Sequence, residues 1–248
     1  MLAAAAALST LVAPSAAAGP KPLLEDHFSG FDGLITNEFA LYNPSNLGAV
    51  ISPTWQVTSG SLFRRAGMAW TGVPDGITPD PCSCLTTDSA VFRMIGNRSN
   101  FRDVSVSVTV RNDRLVTTKR TPAKPTDGVH LILRWQSQEQ TYYASVDRRD
   151  GTVAIKKKLP GGPVNGGAYT TLAQAPVGAI PFGVARRVTA KVHNVAGGVQ
   201  LTLSVDGAAL LSVVDSGQGG PPIIAPGRVG LRADNDELHF DDFIVAGS

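Results

Sequence analysis

Three neighbouring segments in the middle of the chain carry residues that could do chemistry: Gly128-Val-His-Leu-Ile-Leu-Arg-Trp-Gln136, Tyr142-Tyr-Ala-Ser-Val-Asp147 and Thr152-Val-Ala-Ile-Lys-Lys-Lys158. A period of two divides each into two faces. In the first, Val129, Leu131, Leu133 and Trp135 share the face expected to be core, and His130, Ile132, Arg134 and Gln136 share the other. In the second, Tyr143 and Ser145 oppose Tyr142 and Ala144; in the third, Lys156 and Lys158 lie on one side. If the polar faces align, one groove gathers His130, Arg134, Gln136, Tyr143, Ser145, Lys156 and Lys158. Arginine grips a carboxylate or sulfate with two parallel hydrogen bonds, and lysine adds a point charge. Tyrosine and histidine can serve as acid and base, or can stack on and hydrogen-bond a sugar.

Such a set suits an anionic polysaccharide such as a uronate polymer. Lyase chemistry on a uronate needs a group that neutralises the carboxylate, a base for the C5 proton and an acid for the leaving oxygen. Arg134, His130 and Tyr143 are the candidates for those roles. Gln136, Ser145, Lys156 and Lys158 are candidate carbohydrate-binding residues. Two blander readings compete: glycan binding without turnover, and solvated side chains on an exposed sheet face. Glu139 and Asp147 flank the same strands, but a hydrolytic carboxylate pair is defined by a separation that sequence does not show.

The elements that must position these residues are strands. Phe101 to Arg111 alternates strictly, with Val104, Val106, Val108 and Val110 on one face and Ser105, Ser107 and Thr109 on the other. Arg149-Asp150-Gly151 marks a hairpin between the second and third candidate segments. Arg187 to His193 and Val199 to Asp206 form another hairpin across Asn194 to Gly198, and Asp206-Gly207 turns into Ala209 to Val214. Trp55 to Arg64 reads as two short strands around a Ser-Gly turn, and Ser89 to Ile95 as one more. At the two ends, Leu23 to Asp32 and Gly227 to Val245 read as strands that pair and close one fold. Hydrophobic residues are 43% and charged residues 17%, enough apolar matter for a core, and 26 Gly and 17 Pro suit many turns. The expected architecture is all-β, a two-sheet antiparallel β-sandwich in a single domain over residues 19–248.

Composition also sets aside some functions. A net charge of +2 is too small to suggest a nucleic-acid binder. Lys156 to Lys158 has no second basic cluster beside it and reads as a solvated hairpin arm. Residues 1–18 form an apolar, alanine-rich run ending in small residues. They are expected to be a signal peptide, which makes the product secreted, with no membrane span after cleavage. Cys82 and Cys84 sit among Gly76, Pro79 and Pro81 and are expected to be an oxidised pair in a loop, although a Cys-x-Cys ring is cramped. A monomer is expected.

Several blocks together resemble the concanavalin A-like lectin/glucanase jelly-roll superfamily. They are Asp26-His27-Phe28, Trp55 to Leu62, Gly128 to Gln136, Tyr142 to Gly151, Gly227 to Arg232 and Phe240 to Phe243. The resemblance spans nearly the whole chain after residue 18. It implies a jelly-roll sandwich that takes extracellular polysaccharide on one face of a sheet, as carbohydrate-binding modules, glycoside hydrolases and polysaccharide lyases do. The sequence departs from two of the enzyme families: it lacks the Glu-x-Asp-x-x-Glu signature of one hydrolase family and the Gln-Ile-His motif of alginate lyases. No cofactor is required by this reading. The superfamily also implies a structural calcium near the paired chain ends, with Asp26 and Asp241 as ligands and Glu25, Asp234, Asp236 and Asp242 nearby. The alternative for Asp234-Asn-Asp236 is a simple turn.

Overall fold

The structure is a computed structural model that describes residues 21–73, 90–119 and 121–248. The expected leader over residues 1–18, together with Cys82 and Cys84, lies outside these described residues. Among the described residues, sixteen strands form two antiparallel sheets, with one short helix, α1 (Phe39–Tyr42). The larger sheet has nine strands: β1 (Leu24–Asp26), β2 (Gly33–Asn37), β4 (Ser61–Arg65), β5 (Met68–Trp70), β7 (Val104–Leu115), β12 (Arg186–Val195), β13 (Gly198–Val205), β14 (Ala208–Asp215) and β16 (Asp236–Gly247). Its order is β14-β13-β12-β7-β16-β5-β4-β2, with β1 also paired to β16. The smaller sheet has seven: β3 (Trp55–Ser59), β6 (Val91–Gly96), β8 (Val129–Ser137), β9 (Gln140–Val146), β10 (Thr152–Val164), β11 (Gly167–Pro176) and β15 (Arg228–Asp234). They run β11-β10-β9-β8-β15-β6-β3.

Alternation builds the core between these sheets. Val104, Val106, Val108 and Val110 of β7 point inward beside Val188, Ala190 and Val192 of β12. Phe92 and Met94 of β6, Leu131 and Leu133 of β8, and Leu231 of β15 meet them from the smaller sheet. Each large apolar side chain removed from water contributes roughly 1.5–3 kcal/mol. The ends of the chain pair as expected, with Leu24 opposite Val245 and Asp26 opposite Phe243. Trp55 packs against Phe243 at 4.9 Å and Phe28 against Phe240 at 5.2 Å, so the closing strands are fastened by aromatic rings.

The hairpins fall where expected: Lys156 faces Tyr143 across β10 and β9, and Val192 faces Leu201 across β12 and β13. The two strands around Gly60 do exist but do not pair. At Gly60, with φ +80, the chain leaves the smaller sheet at β3 and enters the larger at β4. Strand β11 was not expected, because its burial pattern is too mixed to show a period of two.

The expected faces of Gly128 to Gln136 hold only as far as Leu133. Arg134 has φ +50, and the β8–β9 register shifts between Leu133 and Ser137. This bulge reverses the phase of the strand. Arg134 turns into the protein and becomes fully buried, while Trp135 turns out and joins Ile95, Ile132 and Tyr143 on the opposite face.

Candidate functional site

Register places a band of outward side chains across the smaller sheet. Arg93 of β6 lies opposite Arg232 of β15, Arg232 opposite His130 of β8, and His130 opposite Ser145 of β9. In the next row Ile132 faces Tyr143, and Tyr143 faces Lys156 of β10. Lys158 lies opposite Tyr169 of β11. Successive residues of a strand alternate, so these side chains share the face away from the core. The chain before β8 passes over one end of this face and, with the sheet, encloses a cleft of about 280 Å³. Thr121, Lys124 and Asp127 form its wall; His130, Tyr143, Ser145, Lys156, Tyr169, Arg232 and Asp234 line the sheet side.

His130 is held at both nitrogens. Nδ1 is 2.8 Å from Ser145 Oγ and Nε2 is 3.2 Å from Asp234 Oδ2. Burial lowers its pKa, with Asp234 opposing, so the ring is neutral near pH 7. A carboxylate only accepts hydrogen bonds, which puts the proton on Nε2 and leaves Nδ1 to accept from the Ser145 hydroxyl. Any base strength of His130 therefore reaches the cleft through Ser145 Oγ. Asp234 also accepts from Arg232 Nε at 2.6 Å. Burial works against its ionisation, yet Arg232 and His130 hold it below the usual carboxylate range.

Aromatic rings and cations alternate over the rest of the face. Tyr143 lies 6.2 Å from His130 and 5.8 Å from Tyr169. Burial pushes the Tyr169 hydroxyl up to about 12. Lys158 sits 5.4 Å above the Tyr169 ring and donates to Gln138 O at 2.8 Å. Burial, with Arg93 and Arg232 nearby, brings its ammonium down to about 8. Lys156 is also lowered, by burial first and by Arg148 second. The Arg93 guanidinium lies 5.6 Å from the Trp135 ring.

The structure thus brings His130, Tyr143, Ser145 and Lys156 into one cleft, with Lys158 on the same face. Two expected members are elsewhere. Arg134 points through the sheet, donating from Nε to Arg102 O at 3.0 Å and from Nη1 to Asn194 Oδ1 and Ile223 O, both at 2.7 Å. It ties three segments together and cannot meet a ligand beside His130. Gln136 is exposed, donates to Pro226 O at 2.8 Å and does not line the cleft. Both departures follow from the bulge at Arg134.

Sequence reasoning did not place Arg93, Arg232 or Tyr169 on this face, set Trp135 in the core and read Asp234 as part of a turn or a neighbour of calcium. Arg93, Arg232 and Asp234 were readable: Arg93 alternates with the buried Phe92 and Met94, and Arg232 and Asp234 with the buried Leu231 and Ala233. The residues expected to hold calcium accept hydrogen bonds from within the protein. Asp26 Oδ1 accepts from Phe28 N at 2.9 Å and Oδ2 from Trp55 Nε1 at 2.7 Å, and Asp241 Oδ1 accepts from Asp242 N at 2.8 Å. Among the described residues no group of three or more His, Cys, Asp or Glu side chains could hold a metal ion. His239, between the core residues Leu238 and Phe240, lies on the outer side of the larger sheet and is covered there, stacked at 6.1 Å on Trp70 with Nδ1 2.8 Å from Asp113 Oδ2.

No protein-family model matches the sequence, and no curated protein matches it. Solved structures do resemble it. A Bacillus subtilis protein of unknown function with a galectin-like fold has a TM-score of 0.58 at 11% identity, covering 92% of this chain and 96% of that one. An endo-acting O-glycanase structure from members of the human gut microbiota, linked to mucin breakdown, has a TM-score of 0.56 at 11% identity, covering 92% and 100%. The endo-1,3-beta-glucanase of Streptomyces sioyaensis has a TM-score of 0.50 at 10% identity, covering 94% and 100%. At these identities the likeness is one of fold. The chain has the concanavalin A-like jelly-roll sandwich.

Proposed function

We propose that the outer face of the smaller sheet binds an extracellular, acidic polysaccharide. The observation that carries this reading is the company of charges and rings: Arg93, Arg232, Lys156 and Lys158 lie among Trp135, Tyr143 and Tyr169, and Asp234 is already paired to Arg232 and His130. Rings offer apolar faces to sugar C–H groups, and the cations attract an acidic chain. Neighbours of the same fold that include glycanases add support to the sugar reading. Affinity electrophoresis against polygalacturonate, alginate and a neutral β-glucan tests it. The acidic polymers should retard the protein, less so at high salt, and the neutral glucan should not. Equal retardation by the neutral glucan, or none by any polymer, would count against it.

A second reading is turnover by β-elimination, favoured by a neutral His130 hydrogen-bonded to Ser145 with Tyr143 alongside. Incubation with uronate polymers, followed by absorbance of the unsaturated product, tests it. Under this reading product forms and is lost in both Tyr143→Phe and His130→Ala. Binding without product leaves a carbohydrate-binding module.

A further inference from the structure

We propose that Arg93 is the receptor for the acidic group of the bound sugar, and so the residue that makes this face prefer oxyanion-bearing polymers to neutral ones. The inference rests on the carbohydrate reading above. It starts from an electrostatic arrangement that is poorly balanced without a ligand. Arg93 is only 6% exposed, and its Nε and Nη1 have no hydrogen-bond partner among the described residues. Folded proteins rarely leave buried donors unsatisfied, least of all charged ones, because desolvation is then uncompensated. The neighbours add to the imbalance. Arg232 lies directly opposite on β15, and Lys158 is close enough for Arg93 to depress its ammonium. The Asp234 carboxylate accepts from both Arg232 Nε and His130 Nε2. Tyr143 and Trp135 offer ring electrons but no carboxylate.

A carboxylate or sulfate oxygen arriving at Arg93 would satisfy a buried donor and relieve the repulsion from Arg232 and Lys158 together. A neutral hydroxyl would satisfy the donor but not the repulsion. Guanidinium is suited to this task because its donors are fixed in a planar fork, which lysine lacks. The Trp135 ring, 5.6 Å from the guanidinium carbon, restricts the plane in which that fork can lie.

The test uses the full chain and three polymers: polygalacturonate, the same polymer after carboxyl reduction, and dextran sulfate. The wild type is expected to bind polygalacturonate or dextran sulfate, which separates carboxylate from sulfate ester, and to ignore the reduced polymer. R93M should lose at least about ten-fold in affinity for the acidic polymer, and R93K should also weaken because it keeps the charge without the fork. Ligand-free R93M should melt at or above the wild-type temperature, since the substitution removes buried donors without partners. A purely structural arginine would behave oppositely, with a lower melting temperature and unchanged binding. If R93M does not fold, R93K decides: wild-type affinity in R93K overturns the proposal. A wild type that binds while R93M matches it within two-fold overturns this inference alone. A wild type that binds none of the polymers overturns it together with the carbohydrate reading.

Discussion

Ser145, His130 and Asp234 show how much one residue's role depends on its neighbours' hydrogen bonds. Alternation alone was enough to place His130, Tyr143, Ser145 and Lys156 on a common face, because β8, β9 and β10 pair in register over those positions. What alternation did not reveal was that the free electron pair of His130 is turned to Ser145. Titration offers two checks at this scale. Lys158 ionises at about 8, with Arg93, Arg232, Glu139 and the Tyr169 ring around it. Binding of an acidic polymer should therefore weaken as pH rises through that value, and calorimetry at pH 6.5 and 9 would show it; equal affinities would remove Lys158 from the binding surface. Asp236 supplies the second. In the unfolded chain it titrates near 3.8, whereas burial, with Asp147 adding to it, pushes its carboxyl up to about 8. Between those values the folded state keeps a proton that the unfolded state releases, so stability falls as pH rises, by up to about 1.4 kcal/mol per unit, and levels off above them. Asp147 is raised by burial and acts in the same direction. Asp236→Asn should thus gain on the wild type between pH 5 and pH 7.5 in urea melts, and a constant difference would contradict the buried carboxyl.

At the scale of elements, the bulge in β8 decides which residues reach the outer face of the smaller sheet. A strand that kept its phase would have put Arg134 beside His130 and Trp135 in the core, as a strict period of two implies. With Arg134 at φ +50, the guanidinium instead crosses to the loops and strands on the inner side and accounts for the carbonyls of Arg102 and Ile223. Nothing in Leu-Arg-Trp-Gln announces a bulge, since no glycine marks it. Arg134→Ala should cost about 2–4 kcal/mol by leaving those carbonyls unpaired in a buried cavity. Tyr143→Phe, which touches only the outer face, should cost well under that. Chemical denaturation of the two variants separates them, and similar losses would argue that Arg134 is not a structural tie. The β9–β10 and β13–β14 hairpins were legible because Gly151 and Asp206-Gly207 supply the positive φ their turns need. Strand β11 was not, as its residues are mostly exposed or half-buried at a sheet edge.

For the whole molecule, the closing of the sandwich was legible from its two ends. Leu24 to Asp26 pairs with Phe243 to Val245, and Phe28, Trp55, Phe240 and Phe243 lock the pairing from within. Phe243→Ala should lower stability by about 3–5 kcal/mol, with the smaller sheet's cleft lost only when the whole fold melts, because the domain shares a single main core. Calcium was expected near these ends, where Asp26 accepts hydrogen bonds from Trp55 Nε1 and the Phe28 amide. The scaffold thus carries the proposed ligand face on one sheet and its chain closure on the other. Recognition of acidic sugars by that face is the property to measure. Calorimetric titration of the chain with polygalacturonate and with its carboxyl-reduced counterpart is the direct measurement. Binding to the acidic polymer that is absent from the reduced one and falls at least about ten-fold in R93M is the expected result; equal binding to both polymers, or none to either alongside none to dextran sulfate, would contradict it.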